Sequence, residues 1–427
     1  MGEGDGPVGA KTARAERLPR LRNVDGLRGL CTVCVLVYHC WLYSSPTGER
    51  LRFGGYEGLL EVLRYGRTLF FVLSGFLLYR AYANAVVGGV AFPSTPRYLA
   101  GRFLRIVPAY WAALLVVGFI LGIARTDFPT SSLGPFTERP WAFVADALLV
   151  QNFFPSVFLT GIGPAWTLAV EMQFYLLLPL LGLAAANLSR MGPVRAALAP
   201  AVVLVVIGAG TKLAVAGLVH AGYMDKASWS GSPYGLTMLS LPFNAEQFGV
   251  GMWLAVVHVV ASTGRDARRL GAFTVAAAAV LCLAFLPVLA SDVPGRIQYV
   301  EAPVAILSAA IIYLLVVSPA DPAWLRPVRN VLEARPVVAL GLVSYGIFLY
   351  NEPVSLWLRA RGLTYEGWAH FPLNAAMTLC GTVFLATMSY RLVERRCLDV
   401  KGRVKPRADG RPQSMPAFSG EAAPTRA

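Results

Sequence analysis

The chain has 427 residues, of which 56% are hydrophobic and only 15% are charged. A soluble chain usually carries about 25% charged residues. Apolar runs of about 20 residues, each long enough to cross a bilayer, recur along the sequence. The composition therefore excludes an ordinary soluble protein and predicts a polytopic membrane protein. The net charge of +14 does not indicate nucleic-acid binding, because the basic residues lie in short segments between apolar runs.

The hydrophobic pattern predicts an all-α membrane bundle of about ten transmembrane helices with no soluble domain. The predicted spans are residues 29–45, 68–88, 107–124, 164–187, 195–219, 234–258, 271–290, 303–318, 336–358 and 373–390. The apolar piece at 142–154 is too short to cross, so we expect it to be re-entrant or interfacial. The polar, basic ends at 1–20 and 397–427 are expected to be disordered tails.

The basic residues also predict the orientation of the chain. If both termini lie inside, the inside segments hold 27 of the 38 Lys and Arg residues, as the positive-inside rule requires. We therefore expect a multi-pass protein of the plasma membrane with both termini in the cytoplasm. The six cysteines are interpreted as small apolar residues, since five lie in apolar runs and no metal-ligand spacing accompanies Cys31 and Cys34.

Two ionisable residues stand out in the first apolar run, NVDGLRGLCTVCVLVYHCWL. Arg28 and His39 are eleven residues apart, which is three helical turns plus about 20°. We therefore expect them on one helix face, separated by roughly 16 Å along the axis. Ionisable groups inside a bilayer usually face a cavity or a partner. This face predicts a polar path that begins at a cytoplasmic cation and ends at an imidazole.

Other polar residues are expected at the depth of His39. Glu171 lies about 10 Å from the outer end of the fourth span, and Asn351 and Glu352 lie roughly 23 Å above the inner end of the ninth. Two residues of the sixth span are expected nearby: Glu246 and Gln247. The alternative for His39 and Glu171 is a structural hydrogen bond between helices. Lys212 is interpreted as a paired or snorkelling lysine.

The segment RYLAGRFLRIVPAYW, residues 97–111, lies between the second and third spans. Arg102 and Arg105 are three residues apart and share a helix face, and Arg97 is a further cation on the inner side. Guanidinium groups suit phosphate oxygens, so this segment predicts a site for a phosphorylated ligand. A solvated or lipid-headgroup-binding face is the alternative.

The second span contains FFVLSGFLLYR, which places two small residues inside an apolar run. Gly75 permits either a close helix approach or a local break. Ser74 either bonds its own backbone or contacts substrate.

Six motifs follow one another along the chain: DGLRG with His39 after it, FFVLSGFLL, RFLRIVPAYW, WTLAVEMQFYLLLP, LVSYGIFLY and YRLVERR. In this order they resemble the acyltransferase family 3 membrane proteins, which include bacterial O-antigen acetyltransferases and macrolide O-acyltransferases. The resemblance covers about Asn23 to Arg396, so residues 21–396 are interpreted as a transmembrane acyltransferase domain. The chain departs from the family at Asn351, where the family commonly has a histidine. Either the reaction does without that histidine or the acceptor differs.

The resemblance implies transfer of an acetyl, propionyl or longer acyl group from acyl-CoA to a hydroxyl of a sugar, glycan or polyketide. In this interpretation His39 removes the hydroxyl proton or forms an acyl-histidine, and Glu171 orients the imidazole. Arg28, Arg102 and Arg105 hold the CoA phosphates at the cytoplasmic mouth. Candidate substrate-binding residues are Ser74, Trp166, Tyr175, Tyr350, Asn351 and Glu352. Acyl-CoA is then a donor substrate, and no permanently bound cofactor, metal or nucleic acid is expected.

A transporter or flippase for a lipid-linked or polyketide cargo is the alternative function. It also needs a polar path inside the membrane, which Glu171, Glu246, Glu352 and Lys212 would supply. The sequence shows no internal repeat with matching broken spans, and the paired arginines favour a phosphorylated donor. The enzymatic hypothesis is therefore preferred, and a sensor or scaffold is disfavoured because we expect no soluble domain.

Overall fold

The computed structural model describes residues 23–45, 57–126, 132–225, 231–262, 296–318 and 322–397, and the isolated positions 21, 276, 280 and 399. Two sets of predictions concern segments that lie almost entirely outside these residues. They are the seventh span at 271–290 and the disordered tails at 1–20 and 397–427.

Helices make up almost all of the described structure. They are α1 (Val24–Tyr43), α2 (Glu57–Leu63), α3 (Gly66–Gly88), α4 (Thr95–Leu115), α5 (Pro140–Ala147), α6 (Trp166–Asn187), α7 (Pro193–His220), α8 (Pro233–Met238), α9 (Leu241–Ser262), α10 (Arg296–Ile312), α11 (Arg326–Glu333), α12 (Arg335–Leu342), α13 (Ser344–Ala360) and α14 (Phe371–Ser389). Three helices continue into π-helical turns at Val116–Ile120, Tyr313–Val317 and Tyr390–Glu394. Two short antiparallel strands, β1 (Ala124–Arg125) and β2 (Leu133–Gly134), form a hairpin.

The long helices confirm the polytopic helical membrane fold. Eight segments of the described chain are long and apolar enough to cross a membrane, and a bent helix pair gives a ninth. These segments correspond to the predicted spans other than the seventh. Many of these helices are apolar on all sides, as expected of helices that contact either lipid or one another. The predicted re-entrant or interfacial piece at 142–154 contains the end of α5, which has only 8 residues.

The ninth predicted span, 336–358, is wrong as a single straight helix. It is divided into α12 and α13, which meet at an angle of 77° at Val343. The close packing of α12 on α1 explains the break, because a Cβ at Gly341 would collide with the Asp25 carbonyl. A straight continuation from that contact would carry the chain away from the bundle. Hydropathy did not reveal the bend because both halves are apolar.

Helices α3 and α9 form the centre of the bundle and approach each other closely through glycines. A Cβ at Gly75 would collide with the Phe248 carbonyl, and a Cβ at Gly251 would collide with the Val72 carbonyl. Of the two roles predicted for Gly75, the structure thus confirms close helix approach, since α3 is unbroken there. Small residues at such crossings let backbones meet in the absence of a hydrophobic driving force.

Replacement of Gly75 with valine is expected to destabilise the protein by about 3 kcal/mol, because the added methyl groups meet backbone that cannot rotate away. Gly217→Val is the matched control, since a Cβ at Gly217 has nothing within 4 Å. The measurement is the thermal unfolding midpoint in detergent. Equal midpoints for the two variants would contradict a packed α3–α9 crossing at Gly75.

Candidate active site

A cavity of about 360 Å³ lies between α1, α3, α4, α6 and the beginning of α13. Its polar lining residues are Asp25, Arg28, Arg67, Ser74, Arg102, Arg105, Thr167, Glu171, Tyr175, Ser344 and Tyr345. Its apolar lining includes Phe70, Phe71, Leu73, Leu77, Leu78, Ile106, Leu168 and Phe348. The cavity therefore has the mixed lining typical of a small-molecule site, in which a few charged groups orient a largely apolar ligand.

Three predicted arginines converge at one end of this cavity, which is called the inner end because α1 and α4 begin beside it. Arg28 comes from the first turn of α1, and Arg102 and Arg105 come from one face of α4. The two helices begin on the same side of the bundle, because α3 connects them by crossing it. Asp25 is an acidic residue at the same end. Glu394 also lies near Arg28 and Arg105. The three guanidinium groups provide hydrogen-bond donors that suit a ligand with several phosphates.

Glu171 lies in the middle of the cavity and is held by two hydroxyl groups. Ser74 Oγ donates to Glu171 Oε1 at 3.1 Å, and Tyr175 OH donates to Oε2 at 2.7 Å. Ser74 and Tyr175 were predicted to bind substrate, and both line the cavity. Ser74 thus bonds the Glu171 side chain, whereas the alternative prediction was a bond to its own backbone.

Arg67, near the beginning of α3, marks the outer end of the cavity. Gly66 fixes the level of this end relative to α1, because a Cβ there would lie 2.9 Å from both Cys31 O and Val35 Cγ2. His39 lies four residues beyond Val35, or about 6 Å further along the helix axis. The cavity thus ends about one helical turn short of the imidazole.

His39 is held by the amide of Asn351, which lies on α13. The Nδ1 atom of His39 lies 2.5 Å from Asn351 Oδ1. The Asn351 amide nitrogen donates to Ile347 O at 3.0 Å and to Phe348 O at 2.6 Å. Because these bonds fix the orientation of the amide, its oxygen accepts and His39 Nδ1 donates. The Nε2 atom then keeps its lone pair, as a general base requires.

An ion pair between Arg125 and Glu352 lies beside the imidazole. Arg125 Nε donates to Glu352 Oε1 at 2.6 Å, and the guanidinium carbon lies 5.0 Å from the centre of the Tyr43 ring. Burial is the largest single effect on the pKa of Arg125 and lowers it, but Glu352 and Tyr43 together raise it further, so the net shift is upward. Gly163 leaves room for this pair, since a Cβ there would collide with the carboxylate.

The predicted continuous path from Arg28 to His39 is wrong in this structure. Arg28 lines the cavity, but His39 is not among the residues that line it. Phe348 lines the outer end, and its carbonyl bonds the same Asn351 that holds His39. Helical periodicity correctly put Arg28 and His39 on one face of α1, but it gave no information about α13, which packs across that face.

The expected pairing of Glu171 with His39 is also wrong, because Asn351 takes the hydrogen bond of the imidazole. The Glu352 carboxylate contacts Gly163, so the region of His39 lies level with the outer end of α6. Glu171 is eight residues further along α6, or roughly 12 Å inward. The depth of each residue was estimated from the end of its own span. The estimates do not agree with the structure because the ends of the spans lie at different levels.

Four of the six predicted substrate-binding residues do not line the cavity. Tyr350 is buried in the apolar core between α4, α5 and α13. Trp166 lies at the edge of the cavity instead, where its ring supports the guanidinium of Arg67 at 5.2 Å. Glu352 and Asn351 are engaged by Arg125 and His39, as described above, and lie outside the cavity lining.

Four buried charged residues form a chain that the sequence did not predict as a unit. Arg67 pairs with Glu301, Glu301 pairs with Lys212, and Lys212 pairs with Glu246. Lys212 is thus a paired lysine, as expected. Glu246 lies in this chain and not beside His39, which corrects the prediction for the sixth span, and Gln247 bonds Asn244 at 3.1 Å. The signal for the chain was Lys212 and Glu246 inside two apolar runs, whereas Arg67 and Glu301 lie just before the beginnings of two others.

Asp146 is a buried carboxyl that lies apart from the cavity. Thr160 Oγ1 donates to it at 3.1 Å, and the Tyr110 hydroxyl donates to its backbone carbonyl at 2.9 Å. Burial raises the pKa of Asp146 well above its usual value. Among the described residues, no group of three His, Cys, Asp or Glu side chains is arranged to hold a metal ion.

Comparisons with known proteins place these residues in a family context. Residues 21–391 match a family described as "Acyltransferase domain". The chain is 28% identical over 171 residues to the acyltransferase MdmB of Streptomyces mycarofaciens, covering 38% of this chain and 40% of that protein. It is 26% identical over 400 residues to the putative peptidoglycan O-acetyltransferase YrhL of Bacillus subtilis (strain 168), covering 90% of this chain and 55% of that protein.

A third relative is nodulation protein 10 of Rhizobium leguminosarum bv. viciae, which is 30% identical over 170 residues, covering 37% of this chain and 43% of that protein. The chain therefore spans only 40% to 55% of the length of these relatives. No solved structure matches the chain.

Proposed function

The chain belongs to the acyltransferase family 3, and we propose that it is a membrane O-acyltransferase that transfers an acyl group from acyl-CoA to a hydroxyl. The observation that carries the proposal is the cavity whose inner end has three arginines and whose outer end lies next to His39. The relative named as a putative peptidoglycan O-acetyltransferase supports a hydroxyl acceptor on a glycan. A sugar or a polyketide hydroxyl fits the same chemistry.

The inner end of the cavity supports acyl-CoA as the donor. CoA carries its negative charges at one end, on phosphate groups, and its thioester at the other end of a thin pantetheine arm. Arg28, Arg102 and Arg105 offer guanidinium donors for the phosphates. The apolar walls beyond them, formed by Leu168 and Phe348 among others, suit the arm and the acyl group. This arrangement directs the thioester towards the outer end.

The Nε2 atom of His39 provides the base that the reaction needs. An alcohol is a poor nucleophile at neutral pH, and an imidazole with a free lone pair can take its proton during attack. The hydroxyl oxygen then forms a bond to the thioester carbon and the C–S bond breaks. The proton passes from His39 to the departing CoA sulfur, so the products are an ester and the CoA thiol.

Asn351 and the Arg125–Glu352 pair position this base. Asn351 fixes the imidazole tautomer, which is the task that a carboxylate performs in other acyl-transfer sites. The buried Glu352 favours the imidazolium that forms during attack, and Arg125 holds the Glu352 carboxylate in place. Asn351 therefore only has to orient the imidazole, and an asparagine can do this in a reaction that uses His39 as its single histidine. The approach of acceptor to His39 then requires Phe348 or its neighbours to move.

The orientation supports a cytoplasmic donor. The inside segments hold 27 of the 38 Lys and Arg residues, which supports an orientation in which α1 and α4 begin at the cytoplasmic face of the plasma membrane. Both termini are then cytoplasmic, and the arginine end of the cavity opens towards the compartment that contains acyl-CoA. His39 lies on the side from which an exported acceptor would approach.

Donor binding gives a test that does not depend on the acceptor. The double variant Arg102→Gln, Arg105→Gln is expected to weaken CoA binding at least tenfold, since each hydrogen bond from a charged group contributes about 1.5–3 kcal/mol. Arg97→Gln is the matched control, because it removes the same charge from the exposed surface of α4 outside the cavity. Titration calorimetry with CoA in detergent measures the affinities, and equal losses in both variants would contradict a phosphate site in the cavity.

The transfer reaction is tested by release of CoA from acetyl-CoA by the purified protein. Peptidoglycan fragments and a macrolide serve as acceptor probes, and mass spectrometry identifies an acetylated product. Release that requires an acceptor supports the enzyme. A protein that neither binds CoA nor releases it from acetyl-CoA overturns the proposal, and accumulation of either acceptor inside vesicles without CoA release would favour the transporter.

A further inference from the structure

The four-residue chain of buried charges beside the cavity has no part in the mechanism above. We propose that Arg67 is a catalytic residue that donates hydrogen bonds to the carbonyl oxygen of the acyl thioester, and that Glu301 and Lys212 are positioning residues that hold it. The inference rests on the proposed function and deepens it. It assigns a stabiliser for the oxyanion.

The location of Arg67 matches the position of the reacting carbonyl. Arg67 lines the cavity at the end opposite to Arg102 and Arg105, where a CoA molecule anchored by its phosphates would present its thioester. Gly66 places this end level with the stretch of α1 between Cys31 and Val35. The guanidinium therefore lies between the level of Glu171 and that of His39, so it can reach a carbonyl whose carbon is attacked beside the imidazole.

Contacts on two sides fix the guanidinium of Arg67. Its Nη2 atom bonds Glu301 Oε1, and the Glu301 side chain is only 1% exposed. The guanidinium carbon lies 5.2 Å from the centre of the Trp166 ring, which supports its planar face. A guanidinium has five N–H donors, so the pairing with Glu301 leaves donors for the cavity. Such fixed donors stabilise developing charge without reorganisation during the reaction.

Lys212 and Glu246 complete the chain by holding Glu301 itself. Lys212 Nζ lies 3.1 Å from Glu301 Oε2 and also pairs with Glu246. The two cations and two carboxylates balance, so the chain is neutral as a whole inside an apolar bundle. Glu301, Lys212 and Glu246 do not line the cavity. Their contribution to the reaction is therefore made through Arg67.

The chemical step proceeds as described above, with one addition. When the hydroxyl oxygen bonds the thioester carbon, the electron pair of the C=O bond moves to the oxygen, and Arg67 donates hydrogen bonds to that oxyanion. Collapse restores the C=O bond and expels the CoA thiolate, which takes the proton from His39. Arg67 remains protonated throughout, so no further reactant is needed.

The variants Arg67→Gln and Glu301→Gln test the proposal in the CoA-release assay, with kcat expressed per CoA-binding site. Arg67→Gln is expected to lower kcat about 100-fold, as does loss of an oxyanion donor elsewhere, and to leave CoA affinity unchanged. Glu301→Gln is expected to lower kcat by a smaller factor with unchanged CoA affinity, and Glu301→Asp, which keeps the charge, is expected to recover part of the loss. A merely structural role would reduce the number of CoA-binding sites without changing kcat per site.

Three results would overturn the inference. The first is an Arg67→Gln variant that loses CoA affinity but keeps kcat, which would make Arg67 a phosphate ligand. The second is a Glu301→Gln variant with wild-type kcat, which would remove the positioning role. The third is a wild-type protein that releases no CoA, which overturns the proposed function and this inference together.

Discussion

Replacement of His39 with alanine is expected to lower acyl transfer by about 10³-fold, the usual contribution of a positioned general base. The lone pair on Nε2 is the feature that is lost, and the described residues near it offer no second imidazole. His39 does not line the arginine cavity, so CoA affinity should be unchanged in the same preparation. The measurement is CoA release from acetyl-CoA alongside titration with CoA.

Asn351→Ala provides the graded control for this experiment. It leaves the imidazole in place but removes the oxygen that accepts from Nδ1, so the tautomer is no longer fixed. We expect a loss smaller than that of His39→Ala, and a partial recovery in Asn351→Asp, whose carboxylate also accepts. Full activity of His39→Ala would show that the imidazole takes no part in the reaction.

Replacement of Lys212 with methionine is expected to destabilise the protein by about 3–5 kcal/mol, the usual cost of removing one partner from a buried ion pair. Glu246 and Glu301 both pair with this ammonium group, and their side chains are 2% and 1% exposed. Glu301 keeps Arg67, but Glu246 is left as a buried carboxylate without a cation. The measurement is the thermal midpoint in detergent or the denaturant dependence of unfolding.

The double variant Lys212→Met, Glu246→Met is the matched control for charge burial. It removes one cation and one carboxylate together, and replacement of a buried pair by apolar residues is often neutral or stabilising. We therefore expect it to unfold at a higher temperature than Lys212→Met alone. A single variant as stable as the wild type would show that the chain of charges adds nothing to the fold.

Most of the fold followed from the sequence because each span is a local property of about 20 residues. Arg28 and His39 do lie on one continuous helix, and Arg102 and Arg105 do share a face that meets Arg28. Ser74 and Tyr175 also line the cavity. These predictions depended on helical periodicity and on residue types, and both can be read within a single segment.

The remaining features depend on which helices are neighbours, and periodicity contains no such information. Glu171 and His39 were placed at one depth because each span end was taken as a common reference, whereas α6 begins level with Glu352. The pairing of Arg67 with Glu301 joins residues 234 positions apart, and neither has a distinctive local motif. Phe348 closes the outer end of the cavity only because α13 crosses α1 there.

The 77° break at Val343 has an electrical consequence. In an uninterrupted membrane helix, the free amide groups of the first turn face the aqueous interface. Here the first turn of α13 begins inside the bundle, where Ser344 and Tyr345 form part of the cavity wall. The positive pole of that helix, equivalent to about half an elementary charge, is thereby added to the field of the arginines, and a substitution that straightened the junction would withdraw it.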